Sequence, residues 1–429
     1  MEEIIQKLKY IKSYLITFIK WVAIAVATGT CGGIVGSFFH KSVEYVTEIR
    51  IANEWIIFAL PFGGLIIVYL YKLFKLDSNI GTNLIIDSIR TDGKVPIAMA
   101  PLIFVSTVIT HLFGGSAGRE GAALQLGGSI GSQIGNMLKL DEKDMHAITL
   151  CGMSGVFAAL FGTPLTATFF AMEVISVGII YYSSFIPCIV SSIVAYKISL
   201  LFGLEPVYFN LKIIPAISAS SVIKVTVLGA LCAIVSIVFC ESLHKTSRFV
   251  KKYIKNEYLR IALGGLVIVI LTMMLRNTDY NGAGMNIISK AINGEAKYEA
   301  FFLKIIFTAI TISVGYKGGE IVPTFFIGST FGCVAAKFLG IDPGFGAAIG
   351  LIALFCGVVN TLISSIILSI ELFGADGVIL FSIACGVSYM LSGYYSLYSS
   401  QKIVYSKLKA EYINTSAKWY HLVLSLIHI

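Results

Sequence analysis

Two glutamates are the residues best placed to do chemistry, each set in a glycine-rich bend among apolar neighbours. Glu120 lies in Gly114-Gly-Ser-Ala-Gly-Arg-Glu-Gly121, and Glu320 in Gly318-Gly-Glu-Ile-Val-Pro323. The flanking apolar runs put both at membrane depth. A charge there is costly unless it lines a polar cavity or pathway, and non-helical backbone is tolerated only where protein or water surrounds it. The run after Gly121 reads as a helix. Its first turn aims unpaired N–H groups at whatever precedes it, which makes an anion site without side-chain cations. Glu120 is itself an anion at that spot. The expected chemistry is a contest between its carboxylate and a dissolved anion for one set of backbone donors. Pro323 fits the first turn of a second such helix. The plainer alternatives are glycines that only let helices pack closely and a structural Arg119–Glu120 pair.

These bends need elements to hold them. Of the 429 residues, 56% are hydrophobic, so the chain reads as an all-α polytopic membrane protein. Apolar runs recur along it, among them 55–74, 97–113, 122–138, 164–182, 301–315 and 361–373. Many are shorter than the roughly 20 residues that cross a bilayer alone. Short, Gly- or Pro-broken segments are what half-helices meeting at a midplane site look like. The net charge of +8 sits in connecting segments, for example Lys245, Arg248, Lys251 and Lys252. That is positive-inside bias and excludes a nucleic-acid footprint. The eight cysteines lie in apolar runs without CxxC spacing, and the six histidines are scattered. They imply no disulfide framework, metal or cofactor.

The chain repeats itself about 200 residues on, as Glu120 and Glu320 illustrate. Gly29, Ile34, Val35, Phe39 and Ser42 recur as Gly229, Ile234, Val235, Phe239 and Ser242. Gly63-Gly-Leu65 recurs as Gly264-Gly-Leu266, and Gly81-Thr-Asn-Leu-Ile85 as Gly284-Met-Asn-Ile-Ile288. Thr163 to Glu173 runs parallel to Thr361 to Glu371, which gives Glu173 and Glu371 a paired structural or dimer-interface role. The expected organisation is an amphipathic interfacial helix at 1–20, a first membrane repeat at 21–205, a second at 206–410 and a tail at 411–429 with no assigned role. Such halves place a binding site at their interface. Four broken segments point to that locus: Asn79 to Asn83, the two glutamate bends, and Tyr394 to Tyr398. Thr82 and Asn83 suit either side-chain donation to an anion or capping of the helical run behind them.

At these residues the sequence resembles the CLC family of chloride channels and anion/proton antiporters, over roughly residues 25–408. The motif is Gly118-Arg-Glu-Gly121 with Gln125, supported by Gly318-Gly-Glu-Ile-Val-Pro323 with Gly328 and by Leu397-Tyr398-Ser399. The resemblance implies an inverted-repeat fold of tilted and broken helices in a cell-membrane homodimer, with one pathway per subunit. It makes Glu120 the gating, proton-coupling glutamate. Glu320 is expected to share in proton coupling, as a protonated donor or a proton carrier, with a solvated helix N-cap the plainer reading. It places anion binding at Gly81, at Tyr398, at the N–H groups of Gly118, Arg119, Gly121 and Ala122, and at those of Glu320, Ile321 and Val322. The sequence departs from the chloride-type pattern in three places. Gly81-Thr-Asn-Leu-Ile85 replaces Gly-Ser-Gly-Ile-Pro, Val174 stands at the inner proton-relay glutamate, and Glu320 replaces an apolar residue. The run from Thr110 to Gly121 and the Gly319-Glu320 placement are most similar to the bacterial fluoride/proton antiporter branch. The expected activity is export of fluoride in exchange for protons. A chloride/proton antiporter or a passive chloride channel is the first alternative, and an acid/base enzyme built on Glu120 and Glu320 the second.

Overall fold

The computed structural model describes residues 2–77, 81–91, 93, 95–409 and 411–417. Asn79, and the apolar tail from residue 418, lie outside the described residues. Among the described residues, eight α-helices are followed by eight more. The first set is α1 Glu2–Ala52, α2 Leu60–Leu73, α3 Thr82–Thr91, α4 Met99–Leu112, α5 Glu120–Met137, α6 Glu142–Phe161, α7 Pro164–Glu173 and α8 Phe185–Leu201. The second is α9 Ala219–Tyr253, α10 Glu257–Leu275, α11 Met285–Ile292, α12 Ala300–Val314, α13 Ile321–Leu339, α14 Pro343–Val359, α15 Leu362–Phe373 and α16 Val378–Leu391. Packing partnerships recur between sets: α1 with α8 and α9 with α16, α4 with α5 and α12 with α13, α5 with α6 and α13 with α14. Across the sets α2 meets α10, and α7 meets α15.

Local chemistry explains matching helix ends. Asp141 caps α6 by accepting the Asp144 N–H at 2.8 Å, and Asp342 caps α14 by accepting the Phe345 N–H at 2.9 Å. The two helices stop at left-handed residues, Gly162 (φ 71°) and Asn360 (φ 60°). Close helix contact is written in glycine. A Cβ on Gly152 would strike the Gly127 carbonyl of α5, and one on Gly350 would strike the Gly328 carbonyl of α13.

Burial separates interior helices from rim helices. The apolar stretches of α6 and α13 are 78% buried, against 39% for those ending in α2, α8 and α10. The rim turns side chains such as Phe62, Ile66, Leu266 and Ile270 outward, as lipid contact requires. Among the described residues, seven helices are long and apolar enough to cross a membrane.

Glu173 and Glu371 tie the two sets together by reciprocal capping. Glu173 accepts the N–H groups of Ile363 (3.1 Å) and Ser364 (3.0 Å) at the start of α15. Glu371 accepts those of Leu165 (2.9 Å) and Thr166 (2.8 Å) at the start of α7. Each carboxylate satisfies donors that a helix N-terminus leaves open.

Two expectations are corrected. Residues 1–20 are not a separate helix, because α1 runs unbroken from Glu2 to Ala52. No proline or glycine precedes Gly29, so nothing stops propagation. The segment from 411 contributes a strand: Tyr412–Ser416 pairs antiparallel with Lys402–Tyr405, which pairs parallel with Ser176–Val177. This small sheet buries Val177, Ile403 and Ala417. Strands this short carry no periodic signal.

Candidate functional site

Two helix N-termini meet where the bends pair. Helix α5 opens behind Arg119 and α13 behind Glu320, and neither side chain caps its own helix. Ahead of them, the Gly118 N–H donates to the Gly319 carbonyl and the Gly319 N–H to the Gly118 carbonyl, both at 2.7 Å. Backbone crowding requires glycine at Gly319, and at Gly118 a side chain would displace the Glu120 carboxyl. A Cβ on Gly118 would lie 2.5 Å from Glu120 Oε2, and one on Gly319 would press on the amide nitrogens of Glu120 and Gly121. Threonines of the opposite set brace each bend. The Ser116 N–H donates to Thr311 Oγ1 at 3.1 Å, and the Lys317 N–H to Thr110 Oγ1 at 3.2 Å.

Glu120 is fully buried. Its Oε2 accepts the Arg119 N–H at 2.9 Å, and its Oε1 sits 3.5 Å from Arg119 Nε without a hydrogen bond. The N–H groups of Glu120 itself and of Val322 also lie against this carboxyl. The carboxylate therefore rests among backbone donors from both helix starts. Glu320 is the mirror case. Its Oε2 is buried without a hydrogen-bond partner, and a Cβ on Gly121 would lie 3.1 Å from it.

Two cavities end at this junction. The first, about 490 Å³, is lined by Arg119, Glu120 and Val322, and by Gly284 and Met285 where α11 begins. The second, about 250 Å³, is lined by Gly81, Thr82 and Asn83 where α3 begins, and by Glu320 and Tyr398. The four broken segments thus divide between two cavities. The Gly118–Gly319 pairing is antiparallel, so the chain leaves each bend in opposite directions and the two carboxyls part company.

The remaining expected residues take definite positions. Tyr398 is buried, and its hydroxyl has no hydrogen-bond partner. Both glutamates are near enough to act on that phenol electrostatically. Thr82 is engaged structurally: its hydroxyl donates to the Gly121 carbonyl at 3.3 Å and accepts from Gln125 Nε2 at 3.2 Å. Asn83 Oδ1 accepts the Ser400 N–H at 3.0 Å, which anchors the Tyr398 loop to α3. Gly81 leaves room, since a Cβ there would meet only Gln125 Nε2, at 4.0 Å. Ala122 and Ile321 are fully buried in the first turns of α5 and α13.

Sequence reasoning missed several supports. Asp87 accepts from Ser400 Oγ (2.5 Å) and pairs with Arg90 (2.6 Å), and Arg90 also donates to the Ser400 carbonyl. Lys304, fully buried in α12, donates to the carbonyls of Tyr280 (3.1 Å) and Gly282 (2.7 Å), fixing the loop that walls the first cavity. Thr110 and Thr311 stand at the repeat offset, a signal that was available. A lysine inside an otherwise apolar run was another.

Paired helix starts, buried carboxyls and flanking cavities within membrane-spanning helices define an ion-transport protein of the membrane. The chain belongs to the voltage-gated chloride channel (CLC) family, whose model matches residues 63–393. It is 33% identical over 395 residues to a chloride/fluoride channel protein of Pseudomonas syringae pv. tomato, covering 90% of this chain and 87% of that protein. It is 25% identical to an H(+)/Cl(-) exchange transporter of Vibrio cholerae, covering 81% of each. The fold matches the crystal structure of a CLC-type fluoride/proton antiporter with a TM-score of 0.86 at 33% identity, over 89% of this chain and 98% of that one.

Proposed function

We propose that this protein exports fluoride in exchange for protons, with Glu120 and the anion taking turns on the donors where α5 begins. The observation that carries this reading is the buried Glu120 carboxyl held by the Arg119 N–H beside the paired bends. Its likeness to a fluoride/proton antiporter at 33% identity gives it further support. An ionised carboxylate and an anion repel strongly in a low-dielectric site. The anion therefore enters as the carboxyl leaves carrying a proton, and the two movements are coupled. Arg119, Gly121 and Ala122 supply backbone donors on the first-cavity side, whereas the expected Gly118 N–H is committed to the Gly319 carbonyl and holds the paired bends together. Glu320, Ile321 and Val322 supply them from the other half, and Tyr398 adds its free hydroxyl.

Glu320 distinguishes fluoride from chloride. A protonated carboxyl beside the anion path is a short, strong donor, which favours a small hard anion. The side chains of Thr82 and Asn83 act by holding α3 and the Tyr398 loop in place. The working unit is a homodimer in the cell membrane with a pathway in each subunit.

A chloride/proton exchanger is the second reading, favoured by the 25% identity to the Vibrio cholerae transporter. Purified protein in liposomes separates the readings. Fluoride efflux is compared with chloride efflux under a pH gradient, with proton movement followed in parallel. Fluoride-selective, proton-coupled efflux is the expected result. Anion efflux without proton movement would make the protein a channel, and no ion flux at all would refute transport.

A further inference from the structure

We infer that His111, in the last turn of α4, is the proton carrier that serves Glu120 from the first cavity. The inference rests on the proposed exchange. His111 is 1% exposed and lines the same cavity as Glu120. Its Nδ1 lies 2.9 Å from the Thr107 carbonyl, which can only accept, so Nδ1 carries the hydrogen. The lone pair of the neutral ring is then at Nε2, which is buried and has no hydrogen-bond partner. A buried ring nitrogen left open is unfavourable unless a ligand or water uses it. The residue that carries this open acceptor lines the cavity where the carboxyl must be protonated.

The charges around the ring explain how this step is tied to the anion. Arg50 of α1 donates to the His111 carbonyl at 3.1 Å, and Arg119 and Lys304 also bear on the ring. Glu44 and His40 line the cavity with it. An imidazolium that is both buried and beside the Arg50 and Arg119 guanidiniums is poorly tolerated until an anion in the cavity supplies countercharge. Proton uptake at Nε2 is thus linked to the presence of the anion. In the transfer, a cavity proton adds to Nε2 while Nδ1–H stays on Thr107. The Nε2–H bond then breaks as the proton passes to water in the shared cavity, and that water's proton forms the O–H bond on Glu120. The ring returns to its starting tautomer and the carboxylate becomes neutral.

The test uses His111→Asn, whose amide can keep the Thr107 contact, and His111→Gln. Fluoride efflux and proton uptake are measured in liposomes across a series of pH values, with and without added imidazole. Loss of both coupled fluxes on the order of 10²-fold is expected, steepest at high pH and restored by imidazole. In a Glu120→Gln background, the His111 substitution should leave the residual fluoride flux unchanged. A wild-type pH profile in folded His111→Asn protein would overturn the inference. So would a loss that imidazole cannot restore and that persists beside Glu120→Gln, which marks a structural role. Absence of fluoride/proton exchange in the unsubstituted protein would overturn the proposed function itself, and this inference with it.

Discussion

Replacing Gly319 by alanine adds one methyl where the paired bends leave no room. Its Cβ would press on the Gly121 amide nitrogen and lie 3.0 Å from that of Glu120 and 3.1 Å from the Gly121 Cα. All of these are backbone atoms, so the bends must separate. The two 2.7 Å hydrogen bonds between Gly118 and Gly319 then lengthen or break, a cost of about 1 kcal/mol each. Forcing a methyl into a packed site adds roughly 1–3 kcal/mol. The sum is about 3–5 kcal/mol, and at about 1.4 kcal/mol per tenfold it amounts to a loss of at least roughly a hundredfold if expressed in anion binding. The methyl also covers the N–H groups proposed to hold the anion. Gly386→Ala in α16 is the control, because nothing lies within 4 Å of a Cβ there. The assay is the initial rate of fluoride efflux from liposomes against fluoride concentration, paired with thermal unfolding in detergent. A folded Gly319→Ala protein with unchanged efflux would show that the backbone donors at this junction do not bind the transported ion.

Glu173→Ala and Glu371→Ala should each destabilise the fold by about 1–2 kcal/mol, because each removes the acceptor for two N–H groups at a helix start in the other set. Thermal unfolding should register the loss while the fluoride-to-chloride preference stays unchanged. Tyr398→Phe removes a hydroxyl that has no protein partner, so its melting temperature should hold while half-saturating fluoride rises about tenfold, as for a lost hydrogen bond to a charged group. A fourth prediction concerns Asp279, between α10 and α11. Partial burial opposes its ionisation, but hydrogen bonds from Lys297 (2.9 Å) and Asn277 (2.8 Å) win and hold its carboxyl below the ordinary range. The tie therefore stabilises the loop above the unfolded carboxyl's pKa of about 3.9 and fades as pH falls through the lower folded value. Hydrogen exchange at residues 278–284 should speed up in that acid window, and Asp279→Asn should exchange fast at neutral pH.

Much of this protein was legible as one-dimensional pattern. Glycine bends in apolar runs located Glu120 and Glu320, since backbone freedom and a buried charge at one spot are costly anywhere else. The five recurring blocks announced two related halves, and the short runs announced broken helices. Tertiary contact decided the rest. Whether Thr82 donates to an anion or to the Gly121 carbonyl depends on where α5 passes, 39 residues away in sequence. The separation of Glu120 from Glu320 into different cavities depends on the antiparallel sense of a two-residue pairing. The caps supplied by Glu173 and Glu371, the braces from Thr110 and Thr311, and the open Nε2 of His111 all follow from approaches between distant segments. Residue type and spacing fix what a side chain can donate or accept, but which partner receives that bond is settled only when the two sets of helices close on each other.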